Sequence, residues 1–143
     1  MDLRNLNYDE GFYWETSLGG KINPSLLSFK SLYYLDLSRN NFQGLRIPNF
    51  FGKLQSLRYL NLSYSSFVGE IPPAHGNLSN LNYLDLDFGF GSNSYSNNLN
   101  WLSHLSSLKY LNLRGVDLSS IGVGWLHDVN MLPSLLELHF VVE

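Results

Sequence analysis

The 143-residue chain contains no cysteine. That excludes disulfides, thiolate metal sites and a thiol nucleophile. No uninterrupted apolar run approaches the roughly 20 residues needed to span a bilayer. The opening MDLRNLNYDEGFYWE holds no apolar stretch of the kind that marks a secretory leader. Cationic residues are scarce: 9 Lys and Arg stand against 12 Asp and Glu, a net charge of −3. No basic field advertises nucleic acid or an anionic membrane surface. The four histidines, His75, His104, His127 and His139, are scattered and form no H-x-x-x-H pair, so no metal site is expected. Nucleophile-elbow, phosphate-loop and dinucleotide motifs are missing, which argues against an enzyme and against a cofactor.

What is present is one line written repeatedly. Residues 31–48 read SLYYLDLSRNNFQGLRIP and residues 56–72 read SLRYLNLSYSSFVGEIP. Shorter versions follow as NLNYLDL (80–86), SLKYLNL (107–113) and SLLELHF (134–140). Counted from Leu32, Leu57, Leu81, Leu108 and Leu135, the steps are 25, 24, 27 and 27 residues. Each copy carries L-x-x-L-x-L, with Phe140 in place of the last leucine in the fifth. The L-x-L pair has strand periodicity, with its apolar residues on one face and the residues between them on the other. One copy of this size cannot bury enough apolar surface to offset the entropy of ordering it, so the copies must stack and share a core. The fold class expected is α/β: a solenoid with a parallel sheet of strands near 33–37, 58–62, 82–86, 109–113 and 136–140.

Between strands, the first copies carry GKINPSL (20–26), GLRIPNFF (44–51) and GEIPPAH (69–75), with Ile22, Ile47 and Ile71 set to point inward. Phe42 and Phe67, five residues beyond each second strand leucine, are expected to stack, with Leu118 taking over later. The later copies substitute NNLNWLSHLSSL and GWLHDVNMLPSL, where Leu99, Leu102 and Leu105 align with Leu126, Val129 and Leu132. That three-residue spacing predicts a helical or 3-10 turn on the back. The aperiodic DFGFGSNSYSNN (87–98) reads as a mobile protrusion.

The full string in LYYLDLSRNNFQGLRIP resembles the plant-type leucine-rich repeat. The run LNWLSHLSSLKYLNLRGVDLS followed by WLHDVNMLPSLLELH is similar to plant receptor-like proteins of the disease-resistance type, including receptors that sense fungal xylanase. The resemblance implies an extracellular, membrane-anchored, glycosylated family without a kinase domain, binding a pathogen-derived ligand and signalling through a partner receptor kinase. It also implies that residues 1–17 are the remnant of a cap whose cysteines precede MDLRN, and that 18–143 form the solenoid. The family sits at the cell surface, whereas this sequence shows no leader or span, so its own compartment stays open. The asparagine that bonds the turn after each strand in this repeat is present as Asn40 but replaced by Ser65, Gly89 and Val116, which predicts looser turns in the third and fourth copies.

The outward strand residues form columns. One is Tyr34, Tyr59, Tyr83, Tyr110 and Glu137; the next is Asp36, Asn61, Asp85, Asn112 and His139. Tyrosines suit a protein- or peptide-binding platform, but their sameness from copy to copy favours mutual support of the strands. Specificity is expected where copies differ, at Arg39, Tyr64, Phe88 and Arg114. Asp36 and Asp85 lie two strands apart, roughly 9–10 Å, and read as solvated residues rather than a catalytic pair. His75 occupies the inward position of Phe51 and reads as a partly exposed substitute. The two N-x-S sequons, at Asn61 and Asn77, are acceptors only on the secretory path. The functional reading is a non-enzymatic recognition module with a protein or peptide ligand and a co-receptor kinase as partners. An inhibitor of a pathogen cell-wall hydrolase and a poorly folding relic are the alternatives. Uncapped solenoid ends would favour self-association.

Overall fold

The computed structural model describes residues 1–11 and 13–141. Among them, short parallel strands stack one per copy. The main sheet runs β1 (Tyr34–Asp36), β2 (Tyr59–Asn61), β4 (Tyr83–Asp85), β6 (Tyr110–Asn112) and β8 (Glu137–His139), in that spatial order. The register is strict: Leu35 pairs with Leu60, Leu60 with Leu84, Leu84 with Leu111 and Leu111 with Leu138. The leucine columns therefore fall on top of one another and form one continuous core with Ile47, Ile71, Phe42 and Phe67. Phe42 and Phe67 stack at 4.5 Å with ring planes 6° apart, and Leu118 packs half-buried against the same core.

The back of the solenoid is more regular than the sequence suggests. All of the first four coils close through 3-10 turns, at Pro24–Ser28, Asn49–Lys53, Pro73–Asn77 and Asn100–His104. A Cβ at Gly52 would lie 2.3 Å from the Ala74 carbonyl oxygen, so the backs of neighbouring coils touch backbone to backbone. The fifth back is an α-helix, Gly124–Asn130. Its inward residues are Trp125 and Val129, i and i+4 of a 3.6-residue turn, and Leu132, just past its end, continues the buried row. The alignment of Leu126 with Leu99 fails for that reason: Leu126 is 54% exposed while Trp125 is buried against Phe140 at 4.3 Å.

A second sheet, absent from the sequence reading, flanks the first. It contains β3 (Gly69–Glu70), β5 (Ser94–Tyr95) and β7 (Val116–Asp117) in the order β3-β5-β7. The stretch expected to protrude supplies its middle strand. Ser94 is buried and its hydroxyl donates to the Phe67 carbonyl at 3.1 Å. Small polar side chains fit where the backbone, not the side chain, makes the contact, so hydrophobic periodicity carries no trace of this strand.

The turns after the third and fourth main strands are closed rather than loose. Asn40 does bind the turn, its amide nitrogen donating to the Leu3, Leu37 and Ser38 carbonyls and its oxygen accepting from the Leu18 N–H at 2.8 Å. The Ser65 hydroxyl donates to the Leu62 carbonyl. Further along, Gly89 N–H donates to Asp87 Oδ1 at 3.0 Å and Val116 enters β7. Gly115, at φ +74°, approaches Gly89 so closely that a Cβ would sit 2.1 Å from its carbonyl oxygen. Backbone proximity replaces the missing side-chain bonds.

The first end of the sheet is covered. Asp2 bridges to Asp36, Leu3 N–H donates to the Asp36 carbonyl at 2.9 Å, and Asn5 N–H donates to the Ser38 carbonyl at 3.1 Å. Residues 1–5 thus run beside β1 and satisfy its edge.

Candidate functional site: the strand face and its lateral ridge

The tyrosine column is a continuous stack. Tyr34–Tyr59, Tyr59–Tyr83 and Tyr83–Tyr110 ring centroids are each 4.2 Å apart, with planes 13°, 8° and 6° from parallel. His139 ends the row, tilted 5.3 Å from Tyr110. All four tyrosines are half-buried. Burial pushes the Tyr34 and Tyr83 hydroxyls well above the ordinary phenol range, so these two stay uncharged at any ordinary pH.

Beside it, the Asp/Asn column performs a structural task. The side-chain oxygen of Asp36, Asn61, Asp85 and Asn112 accepts the backbone N–H two residues on, from Ser38, Ser63, Asp87 and Arg114, at 2.9–3.1 Å. Each such bond turns the chain out of its strand. Tyr34 and Tyr83 hydroxyls donate to Asp36 and Asp85 at 3.3 and 3.2 Å. Asp36 and Asp85 are therefore buried, not solvated, and desolvation raises the Asp85 pKa above the usual carboxylate range. Asn61 is held the same way: its oxygen serves Ser63 and its amide nitrogen donates to the Tyr59 hydroxyl at 3.4 Å. Asn77 stands exposed at the end of its 3-10 turn.

Just past the strands, the variable residues link into one ridge. Arg39 Nη1 lies 3.2 Å from Asp9 and its guanidinium sits 5.7 Å above the Tyr8 ring. Tyr8 meets Tyr64 at 6.1 Å. The Tyr64 hydroxyl donates to Asp87 at 3.4 Å, and Arg114 approaches the same carboxylate at 3.9 Å. Arg39 and Tyr64 both adopt positive φ, 60° and 51°. This left-handed backbone costs a non-glycine residue energy and turns both side chains outward, where they are exposed. Phe88 departs from the group, packing half-buried against the core. Tyr8 and Asp9 were not legible as ridge members, because no local pattern couples them to Arg39 and Tyr64, which lie 30 or more positions away.

A hollow of about 300 Å³ opens between the N-terminal segment and this ridge, lined by Arg4, Leu6, Arg39, Tyr59 and Tyr64 among others. A larger one, about 780 Å³, runs along the Ile-Pro segments and shares no residue with the ridge. Its walls are Ile22, Ile47, Pro24, Pro48, Pro72 and Phe50 with their neighbours. Arg39 and Tyr64, two of the residues that differ between coils, line the smaller hollow, so shape and chemistry point to different places, and chemistry is the better guide to specificity.

His75 is fully buried, not partly exposed. Its Nδ1 donates to the Pro72 carbonyl at 2.8 Å, while Nε2 has no hydrogen-bond partner. Burial pulls its pKa down to about 4, so it is neutral and serves as a core side chain. Among the described residues, no group of three His, Asp or Glu side chains converges as a metal site would require.

The leucine-rich repeat family model matches residues 30–88. Receptor-like protein EIX1 of Solanum lycopersicum is 47% identical over 122 residues, 85% of this chain and 11% of that protein. Receptor-like protein 6 of Arabidopsis thaliana is 38% identical over 110 residues, 74% of this chain and 11% of that protein. The chain thus spans about a tenth of the length of these relatives. Among solved structures, it is similar to the TDR receptor (TM-score 0.70, 28% identity, 87% of this chain and 20% of that one). It is also similar to the ectodomain of the Arabidopsis thaliana receptor kinase SOBIR1 (TM-score 0.63, 26% identity, 87% and 64%). A third likeness is to the receptor kinase HAESA in complex with the peptide hormone IDA and the co-receptor SERK1 (TM-score 0.68, 27% identity, 86% and 20%). With its in-register leucine coils, its Gly-Ile-Pro backs and these relatives, the chain belongs to the plant leucine-rich-repeat receptor-like proteins.

Proposed function

We propose that the chain is a recognition segment of a cell-surface immune receptor-like protein, binding a pathogen-derived protein or peptide through the ridge of Arg39, Tyr64 and Arg114. The observation that carries this reading is that Arg39 and Tyr64, exposed, and Arg114, half-exposed, differ from coil to coil, are held in place by Tyr8, Asp9 and Asp87, and are grouped along one line. The tyrosine stack of Tyr34, Tyr59, Tyr83 and Tyr110 forms the floor beside it, and the Asp36 and Asp85 column sets the turns that present it. In this reading, residues 1–17 act as the cap segment and 18–143 as the coil array. A receptor-kinase ectodomain is the co-receptor class, and the cell surface is the compartment.

Surface plasmon resonance with the immobilised chain tests it. Fungal xylanase and a co-receptor kinase ectodomain are the two probes. Saturable binding to either is expected, weakened about tenfold or more by Arg39→Ala or Tyr64→Ala, as for a residue carrying more than 1 kcal/mol of binding. No saturable binding, or binding indifferent to both substitutions, overturns the reading. Inhibition of a pectinase or xylanase by the chain would instead favour a hydrolase inhibitor.

A further inference from the structure

The tyrosine stack has a second variable row on its other flank. Tyr33, Arg58, Asn82 and Lys109 stand immediately before Tyr34, Tyr59, Tyr83 and Tyr110, where the main strands begin. They differ from copy to copy, as the ridge residues do, while the tyrosines beside them repeat. Backbone bonds tie them one to the next. Arg58 N–H donates to the Tyr33 carbonyl, Asn82 N–H to the Arg58 carbonyl and Lys109 N–H to the Asn82 carbonyl, each at 2.8 Å. Their strands are all flanked on both sides, β1 by residues 1–5 and β2, and β6 by β4 and β8. Tyr33, Arg58 and Lys109 are nevertheless exposed. The Arg58 guanidinium sits 5.6 Å above the Tyr33 ring. Among the described residues, neither Arg58 nor Lys109 forms an ion pair; Glu137, on the strand beside Lys109, lies 3.6 Å from His139 instead. On the ridge, by contrast, Arg39 and Arg114 are each matched by a carboxylate, Asp9 and Asp87.

We infer, building on the recognition reading above, that this row receives an acidic patch of a folded protein partner, which lies across the tyrosine stack and touches the ridge at the same time. Charge complementarity selects the acid. Two cations held two strand spacings apart, roughly 9–10 Å, stay unmatched in a chain of net charge −3. The Lys109 side chain has no ion pair or ring contact among the described residues, so the stability of the fold does not account for its charge. Width selects a folded surface. Arg58 and Tyr64 stand six residues apart, roughly 15–20 Å at the rise of a strand. One extended peptide crossing the coils follows a single row, whereas a folded surface of ordinary interface size covers both.

Surface plasmon resonance over a series of salt concentrations tests this, with fungal xylanase and a co-receptor kinase ectodomain as probes, each intact and digested with trypsin. The double reversal Arg58→Glu with Lys109→Glu is compared with Lys21→Glu and Lys53→Glu. The second pair changes the net charge equally, at exposed residues beside the Ile-Pro hollow and on a back turn. The first pair should slow association about tenfold or more and flatten its salt dependence, with the melt unchanged. The second should do neither, and the digested probes should not bind. Binding that Arg39→Ala weakens but the first reversal leaves alone overturns the acidic contact and spares the ridge. Equal slowing by both reversals assigns the effect to net charge, and equal binding of a digested probe assigns it to a linear peptide; either contradicts an acidic folded partner. No saturable binding by the unaltered chain removes the recognition reading itself, and the acidic partner with it.

Discussion

Tyr59 stacks on Tyr83 at 4.2 Å with ring planes 8° apart, although 24 residues separate them in sequence. The contact exists because Leu60 and Leu84 are locked in register beneath it. The core below fixes the row above, and the row in turn stiffens the strands.

Tyr83 has a stacked ring on each side and a hydroxyl donating to Asp85 at 3.2 Å. Two aromatic contacts at about 0.5–1.5 kcal/mol each predict that Tyr83→Ala costs roughly 1–3 kcal/mol. Tyr83→Phe keeps the stack and loses only the donor, for a cost of about 1 kcal/mol. Urea titrations of the two variants separate ring from hydroxyl.

His75 gives stability a defined pH dependence. Its folded pKa, about 4, lies below the ordinary 6.5 because the buried ring resists charging. Between those values the unfolded chain binds the extra proton and the folded one does not, so stability falls as pH drops from 6.5 towards 4. The full window is worth on the order of 3 kcal/mol. His75→Phe, which restores the residue type found at Phe51, should remove most of that slope and add stability at pH 7 by eliminating an unpartnered buried nitrogen. Melting both proteins across pH 4–7 checks the sign, and equal slopes would assign the acid loss elsewhere.

Gly52 sits where a Cβ would meet the Ala74 carbonyl at 2.3 Å, a backbone atom that cannot swing aside. Gly52→Ala is expected to force the second and third backs apart and to cost about 1–3 kcal/mol or more, despite the gain in local helix propensity. A drop in melting temperature is the readout.

The sequons at Asn61 and Asn77 have opposite settings. Asn61 is buried with both ends of its amide engaged, while Asn77 is exposed. Folded protein secreted from a eukaryotic host should carry a glycan at Asn77 and none at Asn61. Intact-mass and peptide mapping read this directly, and folded protein occupied at Asn61 would contradict the placement of that strand.

The leucine spacing made the main sheet, its register and the inward Ile47 and Ile71 legible, since those depend on apolar side chains recurring at a fixed period. The second sheet was hidden because Ser94 and Gly69 contribute backbone, and backbone pairing leaves no periodic mark. Asp36 and Asp85 were misread for a related reason. A carboxylate in a strand usually faces water, and only the N–H two residues on, together with the tyrosine hydroxyl, makes it a buried acceptor. Trp125 replaced Leu126 because a three-residue alignment was applied to a segment that winds at 3.6. At the ridge, Arg39, Tyr64 and Arg114 stood out as differences between copies. Tyr8 and Asp9, which hold Arg39, come from outside the repeat and had nothing to align with.

Amide hydrogen exchange tests the central claim, that each coil covers the next in register. The N–H groups of Leu37, Leu62, Leu86 and Leu113 bond to the carbonyls of Asn61, Asp85, Asn112 and His139 in the following strands. All four should be strongly protected and lose protection together as denaturant is added. Free exchange at any one of them while its neighbours on both sides stay protected would mean that the strands are not stacked in a single ladder.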